Sequence, residues 1–233
     1  MAQKINPTSL RLGITQLWSF NIQSYGKTSK SYFLSFHRYI LFFFFLKKIF
    51  NLIGLVMSYQ QWQIKKKNII SLKIYYIEPL ITLNNNFAQF HLKIQNTLKK
   101  ILLKKVKISY YLVDFPFMSR DLLYSYSKYF ISEKKITKKV LWNLFKFMES
   151  HLNSLKLVYT PRGIKVLKLK GFKIRIAGRI DDSKNQMAKS LNLSKGDSCL
   201  TSVEDYIVYS ASTLYSKSGT CGLKIWLFYE LIY

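Results

Sequence analysis

Basic side chains at two-residue spacing give the first indication of chemistry in this sequence. Between Lys170 and Ile180, apolar and basic positions alternate. The apolar positions are Phe172, Ile174 and Ile176, and the basic ones are Lys173 and Arg175. Because side chains on a strand alternate between its faces, this stretch predicts a β-strand with one core face and one cationic face. Cations fixed on a sheet can neutralise phosphates, which is binding chemistry in which nothing is turned over.

A second basic group lies in a stretch with helical periodicity. Apolar-side positions recur at spacings of three and four between 136 and 155, which predicts an amphipathic helix. They are Ile136, Val140, Leu144, Phe147, His151 and Leu155. The basic residues Lys134, Lys135, Lys138, Lys139 and Lys146 gather mainly on the opposite side. Two interpretations stay open: a solvated charged face, which is the usual reason for such a run, or a nucleic-acid contact.

The sequence contains no recognisable catalytic or metal-binding pattern. Cys199 and Cys221 are its two cysteines, and the three histidines are scattered without Cys-x-x-Cys or His-x-x-His spacing. No nucleophile, base and orienting group recur at a known spacing, and there is no phosphate-binding Gly-rich loop. We therefore expect free thiols in a reducing compartment, no metal or other cofactor, no small-molecule substrate and no enzymatic activity.

Charge is the strongest compositional signal. The 233 residues include 37 basic and 11 acidic side chains, a net charge of +26, while 49% of the residues are hydrophobic. The hydrophobic content predicts a folded chain. The charge predicts a polyanionic partner, for which nucleic acid fits better than an anionic membrane. Six of the basic residues are Arg and the rest Lys. Abundant Lys, Asn, Ile, Phe and Tyr indicate an A/T-rich genome, as in many organelles.

The segment 39–57 is intensely apolar and raises the possibility of a membrane span. A spanning helix needs about 20 apolar residues. Lys47 and Lys48 interrupt this segment, and each Lys near the centre of a span costs roughly 2.5–3.5 kcal/mol. We therefore predict a buried helix, or a helix covered by a partner protein. The alternative is a basic membrane-associated protein anchored through residues 39–57.

The remaining periodic segments predict an α+β fold. Alternation predicts strands at 69–77, 106–112, 203–209 and 221–228, and three-to-four spacing predicts a helix at 87–106. Residues 164–169 are either a short strand or a connection. Ser119 is a plausible cap for the first of two helices in the second half, and Asp181 and Asp182 could cap a further helix over 181–190.

Three blocks of residues resemble one family. The first contains Gln3, Lys4 and Pro7 with the run Leu10–Gly13, and the second is the alternating stretch 170–180. The third reads Gly-x-x-Gly-x-Lys-x-Trp-x-Phe, from Gly219 to Phe228. On these blocks the chain resembles the S-three family of small-subunit ribosomal proteins.

The resemblance implies a two-domain architecture. Residues 1–14 would form an extended RNA-binding arm and 15–118 a degenerate KH-like (type II) domain. Residues 119–233 would form an α/β carboxy-terminal domain with helices packed on an antiparallel sheet. The KH clamp is a Gly-x-x-Gly loop that presses backbone against a nucleic acid strand. Between Pro79 and Phe87 this sequence has no Gly, so we expect the KH fold without its clamp.

The resemblance also implies a function, which is structural. The chain would be a constituent of the head of the small ribosomal subunit, beside proteins of the S-ten and S-fourteen families, lining the site where messenger RNA enters. The implied ribosomal RNA contacts are Gln3, Lys4, Arg11, Lys173, Arg175 and Arg179, and the implied messenger RNA contacts are Lys134, Lys135, Lys138 and Lys139. An eroded KH domain favours the mitochondrion over the plastid. The first residues lack a transit-peptide pattern, as expected for synthesis in that compartment.

Overall fold

The computed structural model describes residues 6–18, 26, 29–53, 56–65, 69–77, 92, 94–97, 105–112, 123–124, 127, 137–180, 187–216 and 219–232. The chain divides into two compact units. One contains residues 19–116, and the other combines residues 1–18 with residues 117–233. Helices and both antiparallel and mixed sheets are present, which confirms the α+β class.

The unit 19–116 packs a long helix with a three-stranded sheet. Helix α1 (Ser29–Ile53) precedes strands β1 (Val56–Lys65), β2 (Ile69–Ile77) and β3 (Lys105–Leu112). The strand order is β1-β2-β3, with β1 antiparallel and β3 parallel to β2. The buried core residues taken from α1 are Phe42, Leu46 and Phe50, at four-residue spacing, and those taken from β2 are Leu72 and Ile74. One face of α1 therefore joins one face of the sheet in a single core.

The predicted apolar helix is present but with different ends. It begins at Ser29 and ends at Ile53, so Met57 belongs to β1 and the predicted end at 57 is wrong. Strand β1 was missed because its inward side chains include the polar Ser58 and Gln60, which hide the alternation. None of the helices in the described part of the chain combines the length and apolarity that crossing a membrane requires.

The other predictions in this unit concern β2, β3 and the segment between them. The strand at 69–77 is confirmed, and the strand at 106–112 is confirmed with its start at Lys105. Most of the helix predicted at 87–106 lies outside the described residues. Ile94–Thr97 are helical and Ile94 is buried, whereas 105–106 already belong to β3.

The second unit packs helix α2 (Thr137–Ser150) on a five-stranded antiparallel sheet. Its strands are β4 (Leu155–Thr160), β5 (Gly163–Gly178), β6 (Lys189–Gly196), β7 (Tyr206–Ser216) and β8 (Gly219–Ile232). The order is β4-β5-β8-β7. Strand β4 pairs with residues 163–168 of β5, and β6 pairs with residues 171–178 of the same strand. The core takes Leu141, Leu144 and Met148 from α2, and it takes Leu167, Leu169, Phe172, Ile174, Ile176, Leu223, Ile225 and Leu227 from β5 and β8.

Strand β5 contains most of the alternating stretch 170–180. It is longer than predicted, and residues 164–169, for which a strand and a connection were both open, form its first part. Phe172, Ile174 and Ile176 are buried towards α2, as predicted. At Gly178, a Cβ would lie 2.8 Å from the Sγ atom of Cys221, so the close approach of β8 requires glycine there.

Several predicted boundaries in this unit are wrong. The helix expected over 136–155 ends at Ser150. Asn153, whose φ of 66° is left-handed, turns the chain, and Leu155 then begins β4. Residues 181–186 of the helix predicted at 181–190 lie outside the described residues, but Lys189 and Ser190 belong to β6. Strand β7 starts at Tyr206, not at 203.

The amino-terminal segment is docked and turned rather than extended. Residues 6–18 contain a short 3-10 helix, Ser9–Arg11, and pack in the second unit. The Nε2 atom of Gln16 donates to the carbonyl of Ile207 at 2.6 Å. The prediction of an extended arm is therefore wrong for residues 6–14, because local backbone hydrogen bonds form turns there. The side chains of Arg11 and Gln16 donate to carbonyls of the second unit and dock the segment.

Candidate nucleic-acid interface

The face of the second sheet opposite α2 brings together basic and aromatic side chains. In the register of β5 with β8, Lys173 lies opposite Trp226 and Arg175 opposite Lys224. In the register of β7 with β8, Tyr209 lies opposite Trp226. Opposed residues of an antiparallel pair share one face, so these five side chains form one surface. We call it the cationic-aromatic face.

The centre of the cationic-aromatic face is a packed cation and two rings. The Nζ atom of Lys173 lies 5.9 Å from the centre of the Trp226 ring. The rings of Trp226 and Tyr209 are 5.3 Å apart, centre to centre, and tilted by 39°. A cation over an indole face is attracted by the ring quadrupole. All three side chains are half-buried, so each packs against its neighbours and still presents part of its surface to solvent.

The charges on this sheet are unevenly balanced. Arg175 and Lys224 are directly opposed in the register, and like charges in that position repel each other. Towards the other end of β5, Lys168 lies opposite Glu230, and the Nζ atom of Lys170 is 3.1 Å from Asp197. The hydrogen bond and the charge of Asp197 raise the pKa of Lys170.

Glu230 is the one carboxylate within the five strands of this sheet. Its position near the end of β8 leaves the opposed pair Arg175 and Lys224 without a carboxylate across the strands. A polyanion placed on this part of the face would neutralise both cations at once.

Helix α2 presents a second basic surface. Lys138, Lys139 and Lys146 are exposed, and Trp142, which is 51% exposed, lies among them. The ring of Trp142 stacks on Phe145 with 5.4 Å between the ring centres and 11° between the planes. The side chain of Glu149, on the same helix, forms an ion pair with Lys195 of β6.

One predicted RNA contact is wrong in the structure. Arg11 is 1% exposed, and its guanidinium donates to four backbone carbonyls of the second unit. The acceptors are Pro7 at 2.8 Å, Asp205 at 2.9 Å, Leu200 at 3.2 Å, and Ser202. Burial lowers the pKa of Arg11, and the neighbouring charge of Asp205 opposes that change. Arg11 therefore holds the amino-terminal segment to the loop before β7, and its donors face protein instead of phosphate.

The other predicted contacts fall into three groups. Gln3, Lys4, Lys134 and Lys135 lie outside the described residues. Lys138 and Lys139 lie on the exposed side of α2. Lys173 and Arg175 lie on the cationic-aromatic face, and Arg179 follows β5, where its carbonyl accepts from the Sγ atom of Cys221 at 3.3 Å.

Three members of the cationic-aromatic face were not among the predicted contacts. Lys224 and Trp226 were recognised as part of the block from Gly219 to Phe228, and Tyr209 as part of a strand. The alternation of Leu223, Ile225 and Leu227 places Lys224 and Trp226 on the opposite side from the core. That signal could have found them, whereas the proximity of Tyr209 depends on the pairing of β7 with β8, which periodicity does not give.

Comparison with known proteins identifies the class. The chain is 36% identical over 229 residues to the small ribosomal subunit protein uS3m of Chondrus crispus, covering 98% of this chain and 94% of that one. It is 27% identical over 248 residues to uS3c of Marchantia polymorpha, covering 99% of each, and 23% identical over 234 residues to uS3 of Fusobacterium nucleatum subsp. nucleatum, covering 98% of this chain and 94% of that one. No family model matches the sequence.

These relatives are all proteins of the small ribosomal subunit. More particularly, the chain belongs to the uS3 family, which confirms the resemblance seen in the three sequence blocks.

Proposed function

We propose that this chain is a structural component of the mitochondrial small ribosomal subunit and that it binds ribosomal RNA through the cationic-aromatic face. The observation that carries the proposal is the opposed pair Arg175 and Lys224, two cations held side by side on a sheet with one carboxylate. Membership of the uS3 family supplies the polyanion that this arrangement needs. The work is electrostatic and positional, and involves no catalysis.

The mitochondrial location is supported by two independent observations. The relative from Chondrus crispus is the mitochondrial form, uS3m, and it matches at 36% identity, against 27% for the plastid form uS3c from Marchantia polymorpha. The A/T-rich residue usage points to an organelle genome. The first observation agrees with the predicted mitochondrial location, and the second is one of the sequence features on which that prediction rests.

The ribosomal RNA contacts combine several side chains in this proposal. Lys173, Arg175 and Lys224 supply charge, while Trp226 and Tyr209 offer ring surface to an unpaired base. Arg179 extends the cationic surface at the end of β5. Gln3 and Lys4 contribute from the start of the amino-terminal segment, which Arg11 anchors to the same unit.

The messenger RNA contacts belong to α2 and the residues just before it. Lys134, Lys135, Lys138 and Lys139 would face the message where it enters, and the exposure of Lys138 and Lys139 supports this role. Lys offers each phosphate a point charge, whereas Arg would grip it through a planar fork. Contacts of this kind are independent of message sequence, as this location requires.

The proposed domains follow the family architecture. Helix α1 and the mixed sheet β1-β2-β3 support a KH-like (type II) domain that lacks the Gly-x-x-Gly clamp. We expected this domain over 15–118 and the carboxy-terminal domain over 119–233, and the compact unit that contains α1 and this sheet covers 19–116. Residues 1–14 would touch RNA through their first residues alone. Exposed apolar side chains of α1 would contact neighbouring head proteins, for which the S-ten and S-fourteen families are the candidates. They include Phe33, Leu34, Leu41 and Phe44.

Paired double variants test the ribosomal RNA contact. Binding of the full chain to transcribed small-subunit ribosomal RNA is measured across a salt series. Replacing Arg175 and Lys224 together by Ala should weaken binding. The slope of log affinity against log salt should also become shallower, by about 0.9 for each phosphate that the variant no longer neutralises.

The matched control replaces Lys168 and Lys170 by Ala. It removes the same charge from the same sheet, but both of these cations already face carboxylates, so the change in slope should be smaller. Equal changes in the two double variants would contradict a specific role for the cationic-aromatic face.

A further inference from the structure

We propose that Trp142 is a stacking site for the bases of single-stranded RNA, placed at the centre of the basic side of α2. This rests on the proposed function, in which that side of the helix meets messenger RNA. The proposal assigns to an aromatic residue a contact that the lysines cannot make, because an ammonium group binds the phosphate backbone whereas an indole can bind the base itself.

The position of Trp142 on the helix supports this role. At 3.6 residues per turn, Lys138 lies one turn before Trp142 and Lys146 one turn after it on the same side. All three side chains are exposed. The phosphates of a strand lying along the helix would pass the lysines while its bases come within reach of the ring.

The ring is held in place by the fold. Phe145 stacks against Trp142 with nearly parallel planes, and Phe145 packs in turn on the buried Phe172 of β5, with 5.4 Å between the ring centres. The stack occupies one side of the indole, and the 51% exposure leaves area for a second planar partner. A ring fixed in this way loses little conformational freedom when a base stacks on it.

The charge around Trp142 favours RNA over a protein partner. Its neighbours on the exposed side are Lys138, Lys139 and Lys146, and Glu149, the one carboxylate of α2, is engaged by Lys195. A ligand that suits both the lysines and the exposed ring is a polyanion with planar groups. Stacking also tolerates any sequence, since every base has a π-face, and a site on the path of the message has to accept every message.

The test compares two 12-nucleotide RNAs, an oligoadenylate and an abasic strand with the same backbone. Binding to each is measured by fluorescence anisotropy on the full chain with Arg175 and Lys224 replaced by Ala, so that the cationic-aromatic face contributes less to the signal. Trp142→Leu should weaken oligoadenylate binding roughly tenfold, which is a typical loss when an aromatic ring that stacks on a base is removed. It should leave the salt dependence and the abasic binding unchanged, and Trp142→Phe should retain most of the affinity.

Two controls separate the possible failures. Trp18→Leu removes another exposed tryptophan, 61% exposed, that is not flanked by lysines one helical turn away, and oligoadenylate affinity should stay unchanged. Lys138→Ala paired with Lys139→Ala should weaken binding to both RNAs and reduce the salt slope. If the lysine variant has no effect, the messenger RNA contact in the proposed function fails.

If the lysine variant behaves as expected while Trp142→Leu affects both RNAs equally, or neither, the stacking site alone is refuted. An unchanged melting temperature of each variant shows that weaker binding does not come from unfolding. Recovery of a protein from a lysate by the wild-type chain but not by Trp142→Leu, with unchanged oligoadenylate affinity, would assign the residue to a protein contact and overturn the proposal.

Discussion

The two faces of the sheet formed by β5 and β8 differ in how well the chain satisfies their side chains. Towards α2, Phe172, Ile174 and Leu223 are fully buried among apolar neighbours, so the chain itself supplies everything this face contacts. On the other face, Arg175 and Lys224 repel each other across the strands. One alternating pattern thus encodes a face that stabilises the fold and a face on which two cations stay opposed across the strands.

The largest effect on stability is expected on the core face. Phe172→Ala removes a fully buried ring that touches Phe145, and we expect it to lower the free energy of unfolding by about 3–5 kcal/mol. Ile164→Ala, at a position 64% exposed on the same strand, should change it by less than about 0.5 kcal/mol. Urea denaturation of the full chain measures both. A similar loss of stability in the two variants would mean that the two faces are not energetically distinct.

Lys156, a cation on the core face of the sheet, gives a pH-dependent prediction. The Nζ atom of Lys156 lies 5.8 Å from the centre of the buried Tyr229 ring, and burial lowers the pKa of Lys156 to about 8. Because the ordinary value is 10.5, the unfolded chain binds more protons between pH 8 and 10.5. Stability should therefore rise with pH over that window and stay constant, as far as Lys156 is concerned, below it.

Replacing Lys156 isolates this contribution. Lys156→Met keeps the length of the side chain and removes the charge, so we expect a gain of roughly 2–3 kcal/mol at pH 7, corresponding to the lowered pKa. The rise in stability between pH 8 and 10.5 should become smaller by the same amount. Lys168→Met, on the other face, serves as the control and should leave that rise in place. An equal rise in the Lys156→Met variant and the wild type would contradict the assignment.

Much of the sheet could be predicted where burial follows alternation. Strands β2, β5 and β8 have large apolar side chains at every second position, and their inward faces were assigned correctly. Strand β4 was missed because its pattern is inverted: Leu157 and Tyr159 are exposed while Lys156 points into the core cluster. Strand β6 was missed because Ser, Asn and Lys dominate it. Periodicity detects strands whose apolar side chains face the core and whose polar side chains face solvent. It fails for β4 and β6, which depart from that arrangement.

The candidate site could be predicted only in part, for a related reason. Lys173 and Arg175 were placed on one face by local alternation, which the structure reproduces. Arg11 was misassigned because three of its four acceptors, the carbonyls of Asp205, Leu200 and Ser202, lie about 190 residues away in the chain. No local pattern distinguishes an arginine that caps backbone carbonyls from one that binds phosphate. Residue type shows which hydrogen bonds and charges a side chain can offer, and tertiary contacts decide which groups accept them.

The smallest effect is expected at the opposed cations, and it has the opposite sign. Lys224→Gln removes the repulsion with Arg175 while keeping a polar side chain, so the isolated chain should become more stable by about 0.5 kcal/mol. The same variant should bind ribosomal RNA more weakly, because it has one neutralising charge fewer. Thermal unfolding at low salt measures the first effect, and the gain should fade as salt screens the repulsion. A decrease in stability on Lys224→Gln would mean that other groups of the chain stabilise the charge of Lys224. The two faces would then differ in composition, but neither would carry an unfavourable charge pair.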